Sequence, residues 1–369
     1  MKIDRVELRH VRIPYVTAFE TSAGREASKD CILVRAWADG LAGWGESPVS
    51  SAPFYVEETV ETAWPILLEF LVPRVLGRTF LEPAELAGWL RPIRRNYMAK
   101  AGLEAAAWDL VAQARGVPLA RALGGTRTRV AVGMSVGLEP AIGAILDRIE
   151  TWLADGYRRI KVKIKPGLDA ALIAAIRSRF GAIALAADAN AAYASADAPA
   201  LAALDAYGLV MLEQPLDHDD LVDHAALQHL LRTPICLDES IGSAAGARKA
   251  LDLGACRIVN VKAARMGGLS EALRCHALCR ERGVPVWCGG LLETGVGRAA
   301  NIALASLPAF TLPADLGASR RYFREDVIDP EVTVNPDGTV DVPSGPGLGF
   351  RVVERIVEKY TVRTATRSA

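Results

Sequence analysis

The chain has 369 residues, of which 51% are hydrophobic and 23% charged, so it can bury a large core and disorder is not expected. Lys plus Arg and Asp plus Glu both number 43, and this net charge of zero disfavours a partner such as nucleic acid or an anionic membrane. We therefore expect a small-molecule partner, with no nucleic acid and no membrane. The sequence has no apolar stretch of about 18 residues and no signal-peptide pattern, which predicts a soluble, cytoplasmic protein.

Residues 1–125 are predicted to form an α+β domain that caps a larger one. Residues 1–16 and 31–46 alternate in polarity as β-strands do, and the second stretch contains an Asp-Gly hairpin turn. Residues 17–30 between them are polar and contain a glycine, which is typical of a lid loop that covers a site. From about residue 53 to 123 the apolar spacing becomes helical.

Residues 126–320 are predicted to form a (β/α)8 barrel of the TIM type. Strand–helix alternation with continuously apolar strands favours a parallel sheet, and eight such units favour a closed barrel. The fold class is therefore α/β, a modified (β/α)8 barrel with an N-terminal α+β capping domain. Residues 321–369 read as a Gly- and Pro-rich hairpin that returns to the capping domain, followed by a frayed end from Thr361. The eight predicted strands are RVAVGMSV, RIKVKI, IALAADAN, LVMLEQP, ICLDES, RIVNVK, VPVWCGG and FTLPADL.

Charged residues end five successive barrel strands, at Lys163, Asp188, Glu213, Asp238 and Lys262, with intervals of 25, 25, 25 and 24 residues. One strand–helix unit has about this length, so all five should lie at the carboxyl ends of the strands, where barrels place active sites. Each carboxylate alone could be a helix cap, and it is their common spacing that indicates a functional ring. Buried charges in such a ring must neutralise one another or bind an ion.

Three carboxylates without a neighbouring His or Cys suit a hard divalent ion, so Asp188, Glu213 and Asp238 are predicted to bind Mg²⁺, with Mn²⁺ as a substitute. Lys163 and Lys262 come from the second and sixth strands, on opposite sides of the barrel. A carboxylate substrate held on the metal would have one lysine on each face of its α-carbon. This arrangement predicts an enzyme that abstracts the α-proton of a carboxylate and gives a metal-stabilised enediolate.

The barrel motifs resemble those of the enolase superfamily, in its muconate cycloisomerase-like subgroup and the o-succinylbenzoate synthase / N-succinylamino acid (N-acylamino acid) racemase family. The resemblance covers essentially the whole chain. It implies that Asp188, Glu213 and Asp238 bind Mg²⁺, that Lys163 and Lys262 are the acid/base pair, and that Lys161 supports the base. The motifs that carry the resemblance are RIKVKIKPG, DAN, LEQPL, TPICLDES, NVKAARMGG and PVWCGGLLETGVGRAANIALASLP.

The same resemblance implies a set of substrate-binding residues. One departure from the family pattern is that Ala263-Ala264 replace the Pro-Gly that follows the sixth-strand lysine in many members, which changes the rigidity of a loop but no charge. The implied substrate-binding residues are Ser135, Asn190, Arg265 in KAAR, Phe19 in the lid, and Gly290 and Leu291 after the seventh strand.

Several alternatives stay open at this point. Syn dehydration to o-succinylbenzoate, a step of menaquinone biosynthesis, and racemisation of N-succinylamino acids begin with the same enediolate, so the ring of charges cannot separate them. Muconate cycloisomerase and dipeptide epimerase are alternatives, although epimerases favour paired aspartates after strand eight and this chain has only Asp315 there. A non-catalytic metal-binding barrel would have lost some of the five charged positions. We also expect a homo-oligomer, and six reduced, buried cysteines.

Overall fold

The structure is a computed structural model that describes residues 1–20 and 24–369. Within these residues the strands are β1 (Ile3–Glu20), β2 (Arg25–Ala38), β3 (Leu41–Ser47), β4 (Arg129–Ala131), β5 (Gly133–Val136), β6 (Arg159–Lys163), β7 (Ala184–Asp188), β8 (Met211–Glu213), β9 (Ile235–Leu237), β10 (Ile258–Val261), β11 (Val286–Cys288), β12 (Ile328–Asp329), β13 (Thr339–Asp341), β14 (Arg351–Val352) and β15 (Thr361–Ser368).

The α-helices fall between these strands. They are α1 (Val60–Pro65), α2 (Ala84–Leu90), α3 (Tyr97–Ala114), α4 (Leu119–Ala122), α5 (Ile142–Ala154), α6 (Ala170–Phe180), α7 (Ala198–Ala203), α8 (Val222–Leu230), α9 (Ala244–Leu253), α10 (Leu269–Glu281), α11 (Gly295–Ala305), α12 (Ser319–Tyr322) and α13 (Glu354–Tyr360). A π-helix at Ile66–Leu71 and short 3₁₀ helices at Val72–Arg74, Ser195–Asp197 and Leu204–Tyr207 complete the helical structure of the described residues.

The N-terminal sheet is antiparallel, in the order β15-β1-β2-β3. The Asp-Gly hairpin is confirmed, because Asp39 and Gly40 turn the chain between β2 and β3. The loop predicted for residues 17–30 is wrong for most of its length, since β1 continues to Glu20 and β2 begins at Arg25. The outer part of this hairpin is partly exposed on both strands, so its sequence lacks the apolar alternation of a half-buried strand. Residues 21–23 lie outside the described part of the chain.

The C-terminal segment ends in a strand of the N-terminal sheet, and two of its details differ from the sequence prediction. The supposed frayed end is strand β15, which pairs antiparallel with β1 from Arg5 opposite Ser368 onward. Its side chains are at least partly exposed, so backbone pairing with a strand distant in sequence is the main contact that holds it in place, together with an ion pair from Arg363 to Glu61 at 2.9 Å. The predicted hairpin is reduced to a turn, and β13 pairs instead with β4.

The barrel strands β5 to β11 form one parallel sheet in chain order. The eighth predicted segment closes the ring through isolated parallel bridges, from Val286 to Phe310 on one side and from Val132 to Ala314 on the other. Next to the second bridge, where the eighth segment meets the first barrel strand, the Gly133 N–H donates to the Ala314 carbonyl at 2.8 Å. Helices α5 to α11 alternate with the strands, so the predicted (β/α)8 barrel with a capping domain is confirmed.

Helix α3 packs against β3 at unusually short range, and glycines make this approach possible. A Cβ on Gly45 would stand 2.1 Å from the Gly102 carbonyl oxygen, and a Cβ on Gly102 would stand 2.2 Å from Ser47 Oγ. Trp44 and Trp108 from this pair join the same apolar cluster as the barrel residues. All six cysteines are buried and unpaired by disulfides, as expected. No helix in residues 1–20 and 24–369 is long and apolar enough to cross a membrane.

Candidate active site

The carboxyl ends of the barrel strands bring the five predicted charged residues to one mouth. Lys163 lies opposite Asp188 across β6 and β7, and Asp188 lies opposite Glu213 across β7 and β8. All five side chains are at least nine-tenths buried. A cavity opens above them, and its lining includes Tyr55, Ser135, Lys161, Lys163, Asp188, Asn190, Glu239, Lys262, Gly290, Leu291, Leu292, Arg298, Asp315 and Arg321.

Lys161 is the central cation of this ring. Its ammonium nitrogen lies 2.7 Å from Glu213 Oε2, 3.0 Å from Asp188 Oδ2 and 3.1 Å from Asp315 Oδ2. The face of the Trp287 ring lies 4.8 Å away and adds a cation–π contact. Two of the predicted metal-binding carboxylates therefore already share one cation.

Lys163 is held by the last residue of the next strand, Asp188, and by Asn190 two residues later. Its Nζ donates to Asp188 Oδ2 at 2.7 Å and also to Asn190 Oδ1. Asn190 adopts a left-handed backbone conformation with φ of 43°, and its amide nitrogen donates to Glu239 Oε1 at 3.0 Å. The Lys163 side of the site is thus built entirely from barrel residues.

Lys262 faces it from the sixth strand and has a different environment. Its Nζ lies 2.7 Å from Asp238 Oδ2 and donates to the Tyr55 hydroxyl at 2.9 Å. The Tyr55 hydroxyl in turn donates to Asp238 Oδ2 at 3.1 Å. Arg265 pairs with Asp238 Oδ1 from the other side and donates to the Asn260 carbonyl at 2.8 Å. A tyrosine outside the barrel therefore orients this lysine.

The charges at the mouth stabilise one another. Burial alone would raise the pKa of Asp188, but the ammonium groups of Lys161 and Lys163 more than offset it and hold that pKa well below its usual range. Burial would lower the pKa of Lys262, but Tyr55, Glu213 and other nearby acidic groups raise it above its usual value. A lysine that acts as a base must lose its proton, so the carboxylates must first be neutralised by another cation.

The fit to a divalent metal follows from this donor set. Asp188, Glu213 and Asp238 end three adjacent strands, offer only oxygen acceptors, and two of them share the Lys161 ammonium. Within the described residues, no group of three or more His, Cys, Asp or Glu side chains is already arranged around an ion position. The chemistry of the residues suits Mg²⁺, and the lysine and arginine contacts are what a bound ion would have to displace.

Strand eight adds a carboxylate whose contacts the sequence did not indicate. Asp315 accepts from Ser135 Oγ at 2.8 Å and from Arg159 at 2.6 Å, in addition to its contact with Lys161. Burial raises its pKa, but Arg159 and Lys161 dominate and hold the pKa of Asp315 well below its usual range. This network ties the first, second and eighth strands together below the cavity.

The remaining predicted substrate-binding residues fall in three places. Gly290 and Leu291 line the cavity, and the Leu291 carbonyl accepts from the buried Lys29 at 2.9 Å. Arg265 is buried behind Asp238, and it is not among the residues found to line the cavity in the described part of the chain. The backbone of Phe19 pairs with Glu26 in the β1–β2 hairpin, while its side chain lies outside what the structure describes.

Three contributors were missed by the sequence reasoning. Glu239 directly follows Asp238 and is partly buried, with a buried Oε2 that is unpaired among the described atoms. Asn260 donates to Glu213 Oε1 at 2.8 Å and lies two residues before Lys262, on the same face of the strand, so strand alternation could have found it. Tyr55 comes from an irregular segment between β3 and α1, and no spacing in the sequence points to it.

The β1–β2 hairpin reaches over this mouth. The Leu138 N–H, in the loop after β5, donates to the Glu20 carbonyl at 3.1 Å. Gly24 and Glu26, on the other side of the hairpin, line the cavity. The segment predicted as a lid is a hairpin whose described part contributes to the lining of the cavity, and its role as a lid stays a prediction.

Comparison with known proteins agrees with this architecture. Residues 144–356 match the enolase C-terminal domain-like family, and residues 3–124 match the mandelate racemase / muconate lactonizing enzyme N-terminal domain. An o-succinylbenzoate synthase of Geobacillus kaustophilus is 55% identical over 362 residues, covering 98% of this chain and 96% of that protein. An N-succinylamino acid racemase of Thermus thermophilus is 48% identical over 362 residues, covering 98% of both proteins.

A solved structure gives the same result. The crystal structure of an enolase superfamily member from Listeria innocua superposes with a TM-score of 0.96 at 39% identity, and the match covers 100% of this chain and 99% of that one. The chain belongs to the mandelate racemase / muconate lactonizing enzyme family of the enolase superfamily.

Proposed function

We propose that this enzyme abstracts the α-proton of a carboxylate substrate that carries a succinyl group, and that it acts as an o-succinylbenzoate synthase, an N-succinylamino acid racemase, or both. The observation that carries the proposal is the placement of Lys163 and Lys262. They come from the second and sixth strands, on opposite sides of the mouth, with the carboxylates of strands three to five between them.

Each lysine has a partner that can orient it during proton transfer. Asn190 accepts a hydrogen bond from Lys163, and Tyr55 accepts one from Lys262. Such contacts fix the direction of the Nζ lone pair once the proton has left, which is what a positioned base requires. Both lysines are at least nine-tenths buried, which limits the amount of water that can surround them in the cavity.

The metal ligands in this proposal are Asp188, Glu213 and Asp238, with Mg²⁺ as the cofactor and Mn²⁺ as its substitute. When bound, the ion offsets the negative charge that develops on the substrate carboxylate as the α-proton leaves. Those carboxylates now bind Lys161, Lys163 and Lys262. Another cation that neutralised these carboxylates would release the lysines from their ion pairs. The carboxylates therefore determine whether a lysine can lose its proton and act as a base.

The two reactions use the lysines differently. In racemisation one lysine removes the α-proton and the other returns a proton on the opposite face. In syn dehydration Lys163 acts first as base and then as acid, while the Lys262 cation stabilises the charge of the intermediate. A dipeptide epimerase is disfavoured, because Asp315 already binds Arg159, Lys161 and Ser135. The homo-oligomeric state and the cytoplasmic location stay predictions.

The test is to incubate the protein with Mg²⁺ and N-succinyl-L-phenylalanine in D2O, and to follow α-proton exchange by NMR and racemisation by optical rotation. The cyclohexadiene precursor of o-succinylbenzoate is assayed in parallel by absorbance. We expect both activities to be lost on EDTA treatment and restored by Mg²⁺. Dehydration without exchange would restrict the protein to the synthase reaction. Absence of both activities in a folded, Mg²⁺-loaded sample would refute the proposed substrates.

A further inference from the structure

Two arginines line the cavity, and their environments differ. Arg298 is buried and fully engaged, since it donates to Ser319 Oγ at 3.0 Å, to the Glu293 carbonyl at 2.8 Å and to Asp326 Oδ2 at 3.4 Å. Arg321 has no carboxylate partner within residues 1–20 and 24–369, and its buried Nε has no hydrogen-bond partner among them. The residue as a whole is only partly buried, but a buried guanidinium nitrogen without a partner is unfavourable, and the side chain lines the cavity, where a ligand can supply an anion.

Aromatic rings hold the Arg321 guanidinium in place. Its carbon lies 4.8 Å from the centre of the Trp152 ring and 5.6 Å from that of Tyr322. The nearby Glu139 does not neutralise it, because Glu139 pairs with Arg148 at 3.3 Å. A stacked guanidinium keeps its donor edge available, and that edge matches the two oxygens of a carboxylate.

The position of Arg321 in the barrel determines which part of a substrate it can meet. It lies on α12, which follows the eighth strand, and this strand contacts the first one through Ser135 and Asp315. The carboxylates proposed to hold the metal end strands three to five, across the mouth from strand eight. A substrate whose carboxylate is bound there could extend across the cavity to Arg321, which lines it.

We propose that Arg321 binds the distal carboxylate of a dicarboxylate substrate, and that this contact makes the enzyme prefer an anionic acyl tail over a neutral tail of the same size. The inference rests on the proposed function and assigns the second carboxylate of the succinyl group to a residue. Arg321 is a specificity-determining residue in this proposal and takes no part in proton transfer.

The experiment compares N-succinyl-L-phenylalanine with its neutral amide analogue, N-succinamoyl-L-phenylalanine, as racemisation substrates. The wild type should favour the acid by roughly 10- to 100-fold in kcat/KM, mostly through KM, because a charge-assisted hydrogen bond far from the reacting carbon contributes uniform binding. Arg321→Met should lose this preference and keep its activity on the amide within a few-fold. Arg321→Lys, which keeps the charge but not the planar fork, should restore part of the preference.

The matched control is Arg320→Met on the same helix. Arg320 is exposed and pairs with Glu331 at 2.6 Å, so its replacement should leave the preference unchanged. If Arg321→Met keeps the wild-type preference, or loses activity on acid and amide alike, the proposal is overturned. The second result would show that Arg321 only supports the local structure.

A binding measurement separates this proposal from the proposed activity. o-Succinylbenzoate and its chain amide are titrated by calorimetry into the Mg²⁺-loaded wild type and into Arg321→Met. If the wild type binds the acid roughly 10-fold or more tightly than the amide, and Arg321→Met does not, the role of Arg321 is supported even if no turnover is found. Equal binding of acid and amide by the wild type overturns it.

Discussion

Buried carboxylates occur in two regions of this molecule, and their partners differ. At the barrel mouth, Asp188 and Asp315 contact lysine and arginine side chains, and their pKa values are lowered. At the junction with the N-terminal sheet, Glu46 and Glu104 accept from backbone N–H groups at the starts of α11 and α10. Burial dominates there, and their pKa values are raised.

The difference teaches that burial of a charge does not by itself identify a functional residue. The junction carboxylates fasten helices of the barrel to β3 and α3 of the N-terminal part, because they satisfy N–H groups that have no partner in the first turn of a helix. The mouth carboxylates are held by cationic side chains that line or adjoin the cavity, where a metal ion or a substrate could replace those contacts. Changes in the first region should affect stability, and changes in the second should affect activity.

The largest effect is expected for Lys163→Met and Lys262→Met. Each removes a proposed proton-transfer group while keeping most of the aliphatic stem, and we expect kcat/KM for racemisation to fall at least roughly 10³-fold, with little change in the midpoint of thermal unfolding. Racemisation of N-succinyl-L-phenylalanine provides the measurement. Lys249→Met, at an exposed position on α9, is the control. A loss below tenfold in either lysine variant would contradict the two-lysine mechanism.

The opposite outcome is expected for Glu104→Ala at the junction. The carboxylate accepts from the N–H groups of Leu269 and Ser270 at 2.6 and 3.0 Å, and from the Trp108 indole at 3.1 Å. The Trp108 indole also donates to Ser270 Oγ at 3.2 Å, so the substitution leaves the two backbone donors unpaired. This should lower the free energy of unfolding by about 2–5 kcal/mol, measured with urea. Activity per folded molecule should change less than tenfold.

Glu281→Ala, at an exposed position near the end of the same helix α10, is the matched control and should change the free energy of unfolding by less than about 0.5 kcal/mol. If Glu104→Ala is no less stable than this control, the junction carboxylates do not hold the two parts of the molecule together.

The pH dependence of stability should distinguish the two regions as well. Burial raises the pKa of Glu46 to about 7, from 4.5, with Lys29 opposing and Glu293 reinforcing the shift. Between these values the unfolded chain releases a proton that the folded state retains, so Glu46 contributes stability below pH 4.5 that is lost as the pH rises through 7. The loss should be on the order of 3 kcal/mol.

The measurement compares urea unfolding of the wild type and Glu46→Gln at several pH values across this interval. Because glutamine cannot titrate, the wild type should lose stability relative to Glu46→Gln as the pH rises. A constant difference between the two proteins would show that Glu46 has an ordinary pKa in the folded state.

The sequence predicted the mouth better than the junction, for a physical reason. Each barrel strand is apolar and ends in one charged residue, so a local pattern repeated five times predicted Lys163, Asp188, Glu213, Asp238 and Lys262, and the structure brings them together. The junction contacts join residues far apart in sequence, where a single glutamate has no distinguishing pattern.

The hairpin over the mouth and the strand β15 were missed for a related reason. Both consist of partly exposed, polar strands whose order depends on backbone pairing with a strand elsewhere in the chain. The unpaired state of Arg321 was equally unpredictable, because it depends on which acidic side chains the fold places nearby.

The smallest effect is expected for Tyr55→Phe. Tyr55 links the two regions, since it belongs to the N-terminal part of the chain but contacts the mouth. Its hydroxyl lies 2.9 Å from Lys262 Nζ, 3.1 Å from Asp238 Oδ2 and 3.1 Å from an Arg265 nitrogen. Removing one hydroxyl that positions the lysine should lower kcat/KM for racemisation roughly 3- to 10-fold. The decrease should appear in kcat, and the free energy of unfolding should change little. Tyr207→Phe, on the outside of the barrel, should change neither. A loss as large as that of Lys262→Met would instead make the hydroxyl itself a proton-transfer group, and no loss would mean that Asp238 alone positions Lys262.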